Sequence, residues 1–420
     1  MPEENKQIDW KAIEYRMSQH FTPGSPIDST GLFCGRSKQT GMIIDSINFK
    51  GQHAILYGER GVGKTSLANQ LFQNISTGKP AVTPHIDCDR SDSFSSVWRK
   101  IFSEIQFVNE TTKIGFSGDT EKQVKSLADN VGGEITPNIV RKLLTMIGGE
   151  STVVTIVDEF DKIEDEQTRG LFADTIKILS DRSVPATVLL IGVADDVNSL
   201  IREHQSIERC LQQVHMPRMS RSEIEEILKT GLEKEGMKIS PKALNCISGL
   251  SKGLPHYTHL MGLYASREAL RQKSSEISVA NTKNAIDVAI EQSRETTRQS
   301  YQKATYSAKK EALYKQVLLA CAMAQSDEFG TFAPVDVREP LRGILKKPNY
   351  SIESFARHLH AFCEENRGPI LKKVGWERRV RYRFRNPLMQ PFVLLHGVKN
   401  DLITDKDIQL LAEKPPGMLF

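Results

Sequence analysis

The sequence predicts an α/β fold: a parallel-sheet core, a purely α-helical region after it, and a C-terminal module of three helices and a hairpin. Three observations predict this. Residues 53 to about 217 alternate short apolar runs with helical patterns ("HAILYG", "AVTPHIDC", "STVVTIVDEF", "ATVLLIGVA", "QVHMPRM"), and continuous apolar strands separated by helices indicate a parallel sheet covered on both faces. From Ser220 onward the periodicity is helical only. Beyond residue 311, "ALYKQVLLACAMAQ", "PLRGILKK" and "SIESFARHLHAFCEE" read as helices and "PILKKV" and "RRVRYRF" as a pair of strands, which is the layout of a winged helix.

In chain order, residues 1–50 form a lead-in segment and 51–218 the parallel-sheet core. The segment from Glu110 to Glu134 is polar and glycine-containing and reads as an inserted loop or short exposed helix. Residues 219–293 form a helical lid. "SRSE" is a capping box opening "IEEILKTGLEKEG" with Gly236 as its stop, and helices follow near Pro241 to Ile247, Pro255 to Gln272 and Val279 to Gln292. Residues 294–310 are polar almost all round and suit an exposed connector. The winged-helix domain spans 311–400, and 401–420 form a tail.

Composition bounds the function. At 420 residues, 39% hydrophobic and 26% charged, the chain has room for two or three ordinary globular domains. No apolar run approaches the roughly 18 residues of a membrane helix, so no membrane partner is expected. The six cysteines are scattered without a CxxC pair, the usage of a cytoplasmic protein with reduced thiols. The net charge of +4 conceals an asymmetry: residues 1–300 carry −3, whereas residues 301–420 carry +7. A nucleic-acid surface would be sought first in the last quarter, although a basic stretch is equally a solvated face.

Gly58 to Thr65, "GERGVGKT", follows an apolar strand and precedes a helix. This G-x-x-x-x-G-K-[ST] pattern is a phosphate cradle: Gly58, Glu59, Arg60, Gly61, Val62 and Gly63 turn backbone N–H groups inward, and Lys64, Thr65 and Ser66 open the helix. Lys64 reaches the β- and γ-phosphates and Thr65 ligates Mg²⁺. About 95 residues later, "TVVTIVDEFD" ends a buried strand. Asp158 would hold Mg²⁺, and Glu159 would orient and deprotonate the attacking water. Asp161 suits a surface or helix-capping carboxylate.

With "LFCGR", "LLIGVADD", "SIERCL", "GLPH" and the terminal winged helix in the same order, the chain from about Leu32 to Val398 resembles the AAA+ P-loop ATPases. Within them it is most similar to the origin-recognition and initiator-type ATPases and to the STAND signalling NTPases. The resemblance implies ATP and Mg²⁺ as cofactors, ATP hydrolysis, and a homo-oligomer or partner protein. It also places Gly35 and Arg36 near the adenine, where an ordinary turn and surface arginine is the alternative. Where such proteins place sensor 1, this chain offers Asp195, Asp196 or Asn198, and a carboxylate beside a triphosphate is unfavourable unless it faces a cation. Where initiators tend to carry a lid arginine, it has His256 after Gly253-Leu254-Pro255. His256 is a weaker, pH-dependent phosphate contact, while Pro255 is equally a proline opening a helix. Arg209 fits the position of an arginine finger best among Arg209, Arg218 and Arg221, with a surface salt bridge as its alternative.

In "ERRVRYRFRNP", period two sends Val380, Tyr382 and Phe384 one way and Arg379, Arg381, Arg383 and Arg385 the other. Lys372, Lys373 and Arg378 lie on or beside the facing strand and turn. Such a row suits the phosphates of duplex DNA, bound largely without regard to sequence, or else discourages edge-to-edge aggregation. The preceding helix, Ser351 to Glu365, offers Arg357, His358 and His360 among acidic residues. The expected function is an ATPase coupling nucleotide state to duplex DNA or a DNA-associated partner. The alternatives are a STAND-like switch whose winged helix contacts protein, and a DNA-binding scaffold with negligible turnover.

Overall fold

The computed structural model describes residues 9–26, 34–74, 80–112, 120–194, 197, 200–201, 207–309, 312–375 and 380–413. The candidates Asp195, Asp196, Asn198, Arg378 and Arg379 lie outside the described residues. The chain divides into two compact units. One comprises Arg36–Gly58 and Lys64–Met216, the other the described residues of Met1–Gly35, Glu59–Gly63 and Pro217–Phe420.

Helix α1 is Trp10–His20, and α2, Ser37–Asn48, opens the sheet-bearing unit. Its strands and helices follow as β1 (His53–Gly58), α3 (Lys64–Asn74), β2 (Ala81–Val82), β3 (His85–Asp87), α4 (Phe94–Glu104), β4 (Gln106–Thr112), β5 (Thr120–Ser126), α5 (Pro137–Gly148), β6 (Thr152–Asp158), α6 (Glu166–Asp181), β7 (Ala186–Val193) and β8 (Leu211–His215). The parallel sheet runs β2-β6-β7-β1-β8, with β3 also paired to β6. Strands β6 and β7 are buried over nearly their whole length, which is why they read as mainly apolar runs, interrupted by the buried Thr155 and Thr187, rather than as alternating ones. Trp98, Phe94, Phe102 and Phe172 pack one face. The segment expected as a loop or exposed helix is instead an antiparallel hairpin, β4 with β5. Its strands are polar (QFVNETT, TEKQVKS), so they lack the apolar alternation that announces a strand.

His53 opens β1 fully buried, and its Nδ1 accepts a hydrogen bond from the Val188 N–H (3.0 Å). Burial pushes its pKa down to about 4. An unfolded histidine takes up a proton near pH 6.5, so the folded state refuses a proton that the unfolded chain accepts between pH 6.5 and 4. Stability therefore falls as pH falls through that window, by about 2 kcal/mol for this group at pH 5. The melting midpoint of the sheet-bearing unit is expected to drop between pH 7.5 and pH 5, and to drop less in His53→Gln. Equal drops in both proteins would remove His53 as the cause.

In the second unit, α7 (Arg221–Glu233) begins at the predicted capping box: Ser220 Oγ accepts from Glu223 N–H and the Glu223 carboxylate accepts from Ser220 N–H. Short β9 (Lys238–Ile239), α8 (Pro241–Ser251), α9 (Pro255–Arg271), β10 (Glu276–Ile277) and α10 (Val279–Glu291) complete the lid, with β9 and β10 paired in parallel. Helix α1 packs on α9 and α7. The segment expected as a connector forms α11 (Glu295–Thr305), held by Tyr301 stacked on His396 at 4.5 Å.

Helices α12 (Tyr314–Met323), α13 (Pro334–Leu345) and α14 (Glu353–Ala361) precede the antiparallel pair β11 (Leu371–Val374) and β12 (Arg381–Phe384). Phe332 bridges to Tyr382 as a third strand position. Helix α15 (Met389–Lys399) packs on α12, α10 and α8. The tail contains α16 (Asp405–Glu413), whose Ile408, Leu411 and Ala412 are buried and which packs on α8. Among the described residues no helix is long and apolar enough to cross a membrane.

Candidate nucleotide site

Strand β1 stops at Gly58 because the backbone must pass close to its neighbour. A Cβ on Gly58 would meet the Met216 carbonyl oxygen at 2.4 Å. Gly61 and Gly63 then take φ of 87° and 96°, a left-handed turn that side chains resist, and Lys64 begins α3. The helix therefore points its first-turn N–H groups back toward the turn, the arrangement that attracts phosphate. The Lys64 ammonium is buried and donates to the Gly58 carbonyl (3.0 Å), a bond that phosphate oxygens can replace.

Thr65 Oγ1 donates to Asp158 Oδ2 at 2.7 Å, so residues 93 apart in sequence meet where α3 starts and β6 ends. Asp158 is 3% exposed. Although burial pushes its pKa upward, contacts from His85, Thr65 and the Glu159 N–H outweigh it and hold the carboxyl below its usual value. A hydroxyl and an ionised carboxylate side by side are the oxygen donors that Mg²⁺ prefers, so these two residues fit the ion. Glu159 adopts the left-handed conformation (φ 54°) immediately after the strand, and its half-exposed carboxylate pairs with Lys162. Asp161 Oδ1 accepts from the Val193 N–H at 2.7 Å, tying the turn to β7.

The other candidates are placed as follows. Arg36 is buried at the N-terminus of α2 with φ of 66°, not on the surface. Pro255 is at the first turn of α9, where it sacrifices no helical N–H bond. The His256 ring bonds through Nδ1 to the Pro23 carbonyl (2.7 Å), and burial lowers its pKa. Arg209 is 71% exposed and paired with Asp181. Arg221 is engaged by Glu225 and Asn245.

Arg218 has a different environment. Its side chain is 2% exposed, and Nε and Nη2 donate to Glu59 Oε2 and Oε1 at 2.6 and 3.2 Å. Nη1 donates to Gln390 Oε1 on α15, and Gln390 Nε2 donates to the Ala322 carbonyl at 2.9 Å. The second residue of the phosphate loop is thus clasped by a buried guanidinium that the C-terminal module holds in turn. Sequence reading missed Glu59 as the partner because 159 and 172 residues separate Arg218 from its two side-chain partners. It also missed His85 and Asp87, which lie beside Asp158.

The β11–β12 pair departs in part from the expected basic row. Val380 is half-buried and Tyr382 and Phe384 are buried, as the alternation requires. Arg381, however, is turned onto the preceding loop: Nε donates to Thr331 Oγ1, Nη2 to the Thr331 carbonyl at 2.8 Å, and Asp327 lies 3.4 Å away. The loop's acceptors satisfy the guanidinium, so Arg381 is not a free phosphate ligand. The register sets Lys372 opposite Arg383 and Lys373 opposite the core residue Tyr382, and both lysines are exposed. His358 of α14 is buried against Tyr314 and is likewise unavailable to DNA, whereas Arg357 and His360 are exposed.

Residues 47–201 match the family model described as "AAA domain". The fold of the chain is similar to that of the Aeropyrum pernix ORC2 protein, a structure of ADPNP–ADP complexes. That match has 12% identity and a TM-score of 0.50, and covers 94% of this chain and 96% of the other. It is also similar to a Walker-type ATPase of Pyrococcus abyssi, with 15% identity and a TM-score of 0.51, covering 88% and 99%. No curated protein sequence matches the chain.

Proposed function

We propose, from the match of residues 47–201 to the AAA domain model, that the chain binds ATP with Mg²⁺, hydrolyses it, and couples the nucleotide state to duplex DNA or a DNA-associated partner. The meeting of Thr65 with Asp158, beside Lys64 and Glu159, carries this reading. Lys64 would exchange the Gly58 carbonyl for β- and γ-phosphate oxygens. Thr65 and Asp158 would hold Mg²⁺, which when bound neutralises charge on those phosphates. Glu159 would take a proton from water as the water oxygen bonds to the γ-phosphorus and the bond to the bridging oxygen breaks. Arg209, exposed on its unit, would serve a neighbouring subunit as the finger, and Arg36, Pro255 and His256 would border the nucleotide.

Lys372, Lys373 and Arg383, with exposed Arg385, are the cations of the β11–β12 pair that support a phosphate-gripping surface. Steady-state ATP hydrolysis with and without duplex DNA, at two salt concentrations, tests the coupling. Stimulation that fades with salt is expected. Replacing Lys372 and Arg383 together with Ala should lower the dependence of log affinity on log salt by about 2. A rate indifferent to DNA, with unchanged salt dependence in the variant, would overturn the DNA assignment.

A second reading is favoured by the clasp on Glu59. A nucleotide-dependent switch needs contacts that hold the phosphate loop in one state, and Arg218 with Gln390 is such a contact. In that case the C-terminal module serves the loop rather than DNA.

A further inference from the structure

Strand β3 brings two further ligands to the carboxylate of Asp158. His85 and Asp87 are two residues apart on β3 and so share one face. The parallel register sets Asp87 opposite Asp158. One ligand atom from each of His85, Asp87 and Asp158 lies within 4.8 Å of the other two, and His85 Nε2 is 3.8 Å from Asp158 Oδ2.

Donors about 2.1 Å from one octahedral ion lie roughly 3 Å apart when adjacent and about 4.2 Å when opposite. The three side chains therefore need only small rotations to share one ion. The surroundings suit a cation: Asp158 is buried, His85 is half-buried and Asp87 opens to solvent, giving anchor, ligand and entry path. The chemistry of the set is also selective. Mg²⁺ is satisfied by oxygen and water, whereas an imidazole beside two carboxylates suits first-row transition ions.

We propose that His85, Asp87 and Asp158 form a binding site for a divalent first-row transition ion. The ion enters the same pocket as the ATPase metal, so the inference rests on the proposed ATPase reading only for its consequence in turnover. Binding itself requires no nucleotide. Asp158 is then shared, with Thr65 on the nucleotide side and His85 and Asp87 on the β3 side.

The test is a Mn²⁺ titration of the full-length, nucleotide-free protein by electron paramagnetic resonance, with pulsed spectra to detect imidazole nitrogen on the ion. One Mn²⁺ per chain with nitrogen coupling is expected. His85→Ala should abolish the coupling and weaken binding at least about tenfold, and Asp87→Asn, at an exposed position, should weaken binding without disturbing the fold. Matched circular dichroism and melting curves keep a misfolded variant from imitating the result. Mn²⁺ bound without nitrogen coupling, or with the same affinity in both variants, would overturn the proposal. Mn²⁺ bound through His85 by a protein that does not hydrolyse ATP would sustain the metal site and defeat the ATPase reading. Hydrolysis in Mg²⁺ with no nitrogen-coupled Mn²⁺ would do the reverse.

Discussion

Glu159→Gln is expected to lower ATP turnover by about 10²- to 10⁴-fold, the usual contribution of a general base, while leaving nucleotide affinity nearly unchanged. The amide keeps the size and polarity of the side chain but removes its charge, and so both its proton affinity and its ion pair with the exposed Lys162. The backbone at this position is held independently of that carboxylate, because the Glu159 N–H donates to Asp158 Oδ1 at 2.6 Å and the Lys162 N–H closes the turn on the Glu159 carbonyl. The site geometry should therefore survive the substitution. Lys64→Ala provides the contrast: with the ammonium gone, affinity for the triphosphate should fall along with turnover. Phosphate release and binding of a fluorescent ATP analogue, measured on both variants, separate the two roles. Turnover within about threefold of the original in Glu159→Gln would move the base elsewhere, because such a change is too small for a residue in the proton path.

The parts of this site that were legible in the sequence are those carried by local chemistry. "GERGVGKT" lies within eight residues, and "VDEF" ends a buried strand whose interior is apolar apart from Thr155. The capping box at Ser220 and the stop at Gly236 are likewise local, and they framed α7 closely. Contacts set by tertiary register were not legible. Asp87 faces Asp158 only because β3 lies beside β6, and an HxD pair on a short strand has no signature of its own. Arg381 follows the alternation of its strand, yet the Asp327–Thr331 loop folds over it, which period two cannot foretell. The β4–β5 hairpin and α16 were missed for opposite reasons. The hairpin is polar on both strands, and α16 was read as a tail although its Ile408 and Leu411 are spaced to cover α8.

Arg218→Ala is expected to lower the melting midpoint of the unit containing the lid and C-terminal module by about 10 °C. The side chains of Arg218 and Glu59 are 2% and 10% exposed, and removing one partner of a buried ion pair costs about 3–5 kcal/mol because the other charge remains in a dry site. The Gln390 amide oxygen would also lose the hydrogen bond it accepts from Arg218. The double variant Glu59→Leu with Arg218→Met should recover much of the loss, since an apolar pair of similar volume removes both desolvation penalties. Recovery of stability then exposes the functional part of the clasp. If holding Glu59 keeps the phosphate loop in one state, the restored double variant should exchange bound nucleotide faster than the original protein and show higher basal ATP turnover. If the pair is structural alone, exchange and turnover should match the original once the folded fraction is equal. Gly330 strengthens the first expectation. A Cβ there would meet Glu59 Oε1 at 2.2 Å, so the backbone of the C-terminal module lies directly against the carboxylate on that side.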